Sequence, residues 1–218
     1  MSGIDISVGI KYRERALARN LGNVALVAIA WFATTAAVLQ GLRDDLDWVR
    51  ARLSFYLIGP YGPWLQFAYV ILAGAIAVLA IGYYRVTVDG PGRQGVLLLF
   101  LLGAVALAIT AQAETDLGGD RKLTVGAIIH AISAPLAFLG TTLGMLGQSW
   151  RFRADPHWRR RFAIAFGLAL FCFAALWIHA LWRELPRGLS QKFVVLAILG
   201  WLALAAAWLR QPPSMNPD

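Results

Sequence analysis

Three features of this 218-residue chain predict an all-α, polytopic membrane protein with six transmembrane helices and an amphipathic helix on the outer membrane surface. Hydrophobic residues make up 59% of it, more than a soluble domain could hold without exposing large apolar patches. They gather into six runs, each near the ~20 residues that a helix rising 1.5 Å per residue needs to cross a hydrocarbon core of about 30 Å. Charge is confined to the connections between runs, and many of the nine Trp sit near the run ends, as interfacial side chains do.

Residues 1–19 form an amino-terminal segment, 20–210 the six-helix membrane domain, and 211–218 a tail whose composition predicts disorder. The first ten residues are neutral or acidic, and no small-residue cleavage site follows a short apolar core. Leu21–Leu39 is therefore expected to be retained as the first span, preceded by Lys11, Arg13, Arg15 and Arg19. In the next connection Leu42, Leu46, Val49 and Leu53 recur at helical spacing among Arg43, Asp44, Asp45, Asp47, Arg50 and Arg52. That stripe predicts a helix lying flat over Leu42–Leu53, with Trp48, Phe55 and Tyr56 at headgroup level. Gly59, Pro60, Gly62 and Pro63 mark a turn into the second span, Trp64–Tyr84. After the short DGPGR connection, the third span, Gly95–Ala111, leads to an acidic loop carrying Glu114, Asp116 and Asp120.

The fourth span, Leu123–Leu146, has the most unusual composition: His130 near one end, Pro135 in the middle, and Gly140 and Gly144 near the other end. Pro135 lacks the amide proton normally given to the Ala131 carbonyl, which predicts a kink just below His130. The following connection is the strongest basic cluster, with Arg151, Arg153, His157, Arg159, Arg160 and Arg161. The fifth span, Phe162–Leu181, contains Cys172 and ends beside His179; WRELPRGLSQK then connects it to the sixth, Phe193–Leu209. A single cysteine excludes an intramolecular disulfide and a cysteine-based zinc site.

Six spans place both termini on one side. With that side cytoplasmic, the inner segments hold 12 Lys or Arg and the outer loops 8, and the acidic residues favour the outer face. The asymmetry predicts that both termini are cytoplasmic. The net charge of +8 does not predict nucleic-acid binding, because there is no soluble recognition element and no aromatic-basic strand pattern.

A histidine inside a span must find a partner or face water, so His130, Ser133 and His179, with Asp116 at the mouth, are the candidates for a polar cavity. Trp48, Arg151, Arg159, Arg160, Arg161 and Arg187 are candidates for contact with anionic lipid headgroups or a partner protein. Gly140 and Gly144 make a GxxxG pair suited to helix packing. His130 and His179 lie at similar depth, yet no CxxCH motif and no diagnostic metal spacing accompanies them, so neither metal nor other cofactor is expected.

The acidic TDLGG before the histidine-bearing span LTVGAIIHAISAPLAFLG, and RGLSQKF before the last span, resemble an uncharacterised family of six-helix bacterial membrane proteins. The resemblance covers most of residues 20–210. It implies that His130 is the family's histidine near the outer end of the fourth helix, and that Lys192 occupies the basic position before the last one. Gln191 departs from the acidic character expected just upstream. The resemblance implies a fold and a place in a bacterial inner membrane rather than a reaction.

For function, the small soluble mass and the many packing surfaces favour an accessory or scaffold protein that packs against a partner membrane protein or bound lipid. Binding or transport of a lipid or small solute is the second expectation. A metal-dependent intramembrane hydrolase using His130 and His179 is the third.

Overall fold

The six apolar runs are helical, and their boundaries fall where backbone chemistry changes. The computed structural model describes residues 3–113 and 124–211. Its helices are α1 (Gly3–Leu42), α2 (Gly62–Val86), α3 (Arg93–Gln112), α4 (Val125–Phe152), α5 (Phe162–Leu181) and α6 (Arg187–Leu209). Each contains a segment long and apolar enough to cross a membrane. Pro63 sits in the first turn of α2 and Pro186 caps α6, positions where a missing amide proton breaks no helical bond. Thr124 caps α4, its hydroxyl accepting from the Ala127 amide at 3.1 Å. α1 begins at Gly3, so the helix starts well before the span, and α4 continues through Pro135.

Helices adjacent in sequence pack together, α6 closes the ring against α1, and α2 also reaches α6 across it. Neighbours are antiparallel, so the α1–α2, α3–α4 and α5–α6 connections share one end of the bundle, here the cap end. The start of α1, the end of α6 and the α2–α3 and α4–α5 connections share the other.

Small residues set the helix spacing, as expected where lipid supplies no hydrophobic force between helices. Ala25, Ala68, Ala165, Ala169, Ala205 and Ala206 have no exposed surface, while Val27, Leu98, Leu170 and Leu196 face outward. The tightest seam joins α3 and α4. A Cβ on Gly140 would lie 2.8 Å from the Gly103 nitrogen, and one on Gly144 would meet the Phe100 ring at 2.9 Å. One turn further on, Gly147 faces Val96.

The surface helix expected over Leu42–Leu53 does not form. Leu42 ends α1, residues 43–52 make a succession of turns, and a short 3₁₀ helix follows at Leu53–Leu57. The reason is local side-chain chemistry that the leucine spacing does not report. The Asp47 carboxylate accepts from the Val49 amide at 2.8 Å and the Arg50 amide at 3.4 Å, holding the chain in a turn. Arg43 folds inward and is only 7% exposed. It grips Asp45 at 2.7 and 2.8 Å and donates to the carbonyls of Ile58 at 2.7 Å and Pro60 at 3.3 Å. Gly59 supplies the left-handed backbone (φ +78°) that brings this carbonyl turn around the guanidinium.

Candidate functional site

The folded α1–α2 connection is a cap docked on the start of α6. The Leu53 amide donates to Gln191 Oε1 at 2.8 Å and the Leu189 amide to the Val49 carbonyl at 2.8 Å. Lys192 donates to the Trp48 carbonyl and lies 5.3 Å from the centre of the Tyr56 ring. The bidentate hydrogen bond from Arg43 holds the Asp45 carboxyl below the usual carboxylate range. Burial pushes the Tyr56 phenol up.

An interior cavity begins at this cap. Its wall takes Ser54 from the cap, Phe32 from α1, Tyr69, Leu72 and Ile76 from α2, and Leu107 and Thr110 from α3. α4 contributes His130, Ala134, Ala137, Phe138 and Thr141, and α6 contributes Gln191, Val195, Ile198, Leu199 and Leu202. α4 and α6 share no extensive interface, although both border this space. Along α4 from His130 to Thr141, and along α6 from Gln191 to Leu202, the lining extends about 16 Å at 1.5 Å per residue. The space open to the centres of water-sized groups is about 70 Å³. So small a space along so long a wall makes a narrow channel.

Among the described residues, the wall carries no Asp, Glu, Lys or Arg side chain. Its polar residues are Ser54, Tyr69, Thr110, His130 and Gln191 near the cap ends of their elements, and Thr141 further along α4. His130 is 9% exposed, and its Nδ1–H donates to the Ala113 carbonyl at 3.1 Å, which fixes the tautomer and leaves Nε2 as an acceptor. Among the described residues, Nε2 has no partner. The same holds for the hydroxyl of Tyr69, which is 8% exposed and whose ring meets Phe32 edge-on at 5.2 Å. Thr110 and Ser133 are self-sufficient by contrast. Thr110 gives its proton to the Ala106 carbonyl at 2.8 Å, so Ser133, 2.8 Å away, donates to Thr110.

Of the sequence candidates for a polar cavity, His130 lines it and Ser133 braces its wall through Thr110. His179 takes no part in that wall: its Nδ1 bonds to Ser190 at 2.8 Å, and Arg187 donates to its carbonyl at 2.5 Å. His130 and His179 thus occupy separate hydrogen-bond settings. Asp116, like Glu114 and Asp120, lies outside the described residues. Among those described, no three His, Cys, Asp or Glu residues cluster as a metal site.

The cationic candidates divide into braces and exposed charges. Arg151 donates to the carbonyls of Val88, Gly90 and Pro91 at 2.5, 3.3 and 2.8 Å, tying α4 to the α2–α3 connection. Arg161 donates to the Trp208 carbonyl and to Gln211, and packs over the Trp158 and Trp208 rings. Arg159, Arg160 and Trp48 are exposed. Asp155, 3% exposed, organises this end by accepting from the amides of Val88, His157 and Trp158. Burial lowers the affinity of His157 for a proton, and its Nε2–H donates to the Gln211 carbonyl at 3.2 Å.

Tyr69 and Gln191 are wall residues that the sequence candidates omit. Both left a trace: Tyr69 is a tyrosine well inside a span rather than in an interfacial belt, and Gln191 is an amide where an acidic residue was expected.

The helical ring and its six apolar spans define a polytopic membrane protein. A family model described as "Protein of unknown function (DUF998)" matches residues 26–208, and the chain belongs to that family. No curated protein and no solved structure matches it.

Proposed function

We propose that the protein binds a small amphipathic molecule within its helical ring, with the apolar part along the channel and the polar part at the cap end. The supporting observation is the cavity itself, a largely apolar space whose wall near the cap end includes His130 and Tyr69, two residues with little exposure whose Nε2 and hydroxyl have no partner among the described residues. Polar groups of buried residues are ordinarily satisfied, so the placement of these two on the wall of one space favours an occupant there. An accessory role has support only from the lipid-facing surface common to polytopic proteins. The hydrolase reading has only one of its two histidines on the cavity wall. The excess of Lys and Arg on the termini side supports cytoplasmic termini in a bacterial inner membrane.

The test is native mass spectrometry of the full chain released from gentle detergent. The expected result is a defined small-molecule adduct on the wild type that is absent from Ala137→Leu, whose added carbons would block the channel halfway along. A stoichiometric polypeptide partner without a small-molecule adduct would favour the accessory role instead. Reporter fusions at the two termini test the orientation, and signals from opposite compartments would overturn it.

A further inference from the structure

From the unused hydrogen-bonding capacity around the cavity, we infer that its polar end recognises a hydroxyl group and that its ligand is a slender, single-chain apolar alcohol. This deepens the cavity-binding proposal and rests on it. Three polar groups have orientations or capacities that decide the chemistry. His130 commits its Nδ1–H to the Ala113 carbonyl and presents Nε2 as an acceptor. Gln191 commits Oε1 to the Leu53 amide, so its NH₂ group is the end available to donate. The Tyr69 hydroxyl, with no partner among the described residues, is a second donor. All three lie within about 10 Å of the cap ends of their helices, counted at 1.5 Å per residue. Ser54, also on the wall, has a hydroxyl that serves in either sense.

One acceptor and two donors complement a hydroxyl, which has one proton to give and two lone pairs to fill. Other head groups match less well. A carboxylate or phosphate would bring negative charge to a wall with no Lys or Arg among its described residues, and a carboxylate has no proton for His130. An ammonium would leave both donors unused and find no carboxylate among the described wall residues. An ether or ester accepts but cannot donate. The small volume of the space argues for one chain rather than the two of a common phospholipid.

The test titrates the full chain, in one detergent, with 1-decanol, decyl methyl ether, decanoic acid and decylamine, reading adducts by native mass spectrometry. Because the chains match, the head group decides the order. The wild type should retain the alcohol at least about tenfold better than the ether, the scale of one lost buried hydrogen bond. His130→Phe should bring the two within about twofold while still binding the chain. If that variant is not monodisperse, Tyr69→Phe, which keeps the ring and loses the hydroxyl, should narrow the same preference. Equal binding of ether and alcohol, or preference for the acid or amine, would overturn hydroxyl recognition and leave the cavity proposal standing. Failure of all four probes to bind, or equal binding by Ala137→Leu, would overturn both. Lipid extraction of the membrane-purified protein then identifies the source: a co-purified long-chain alcohol points to the bilayer, and an empty chain that loads with decanol points to uptake from solution.

Discussion

The two faces of α4 are built from similarly small residues and have opposite outcomes. Toward α3, Gly140, Gly144 and Gly147 allow backbones and rings to meet so closely that the added Cβ atoms would have nowhere to go. Toward the interior, Ala134 and Ala137 border open space, because α6 opposite them is held by α5, α1 and the docked cap rather than by α4. Small side chains therefore do not by themselves mean close packing. A small residue closes a gap when the facing helix is free to approach, and leaves a channel when the rest of the ring holds that helix back.

Adding the same side chain to both faces is the strongest way to break this comparison. Gly103→Leu should destabilise the protein by about 3 kcal/mol, the upper part of the range for overpacking, since the backbone of α4 blocks the new atoms. Thermal unfolding in detergent would show it, and a wild-type midpoint would mean that the seam is looser than described. The next largest effect is expected at the cap. Arg43→Ala leaves the Ile58 and Pro60 carbonyls without their guanidinium donor and should cost about 1–3 kcal/mol, with faster hydrogen exchange through residues 46–58. Exchange unchanged there would show that the cap is held by its α6 contacts alone.

Ala137→Leu sharpens the contrast from the open side. Its added carbons enter existing space, so stability should change by less than about 1 kcal/mol while the bound small molecule is lost. A penalty equal to that of Gly103→Leu would argue against an open channel. The smallest effect concerns pH. Asp45 has a lowered native pKa, so its contribution to stability is present above the ordinary carboxylate value of about 3.9 and is lost as pH falls through the native value. Hydrogen exchange at the cap should rise below about pH 4 in the wild type and show no such step in Asp45→Asn. A step of equal size in both would assign it to another carboxylate.

Much of this arrangement is legible in the chain because membrane insertion depends on local composition. Length and apolarity alone account for the six spans, and the charged connections separate them. The residues of the α3–α4 seam, Gly140 and Gly144, stand out by their spacing, and His130 by its polarity within a span. The 43–52 segment was misread for a physical reason: leucines at helical spacing describe one face of a helix, whereas Arg43 and Asp47 use side-chain bonds to hold the backbone in turns. Tyr69 and Gln191 were passed over because a tyrosine or glutamine acquires its role only from what lies opposite it.

The sequence by itself determined the number of spans, their approximate limits and the small-residue face of α4, all consequences of hydrophobic length and side-chain size within one segment. Only the tertiary structure decided that His130, Tyr69 and Gln191, drawn from three helices, border one channel, and that His179 stands apart from it. The ring closure of α6 on α1 and the docking of the cap set those distances, and both depend on contacts between residues far apart in the chain.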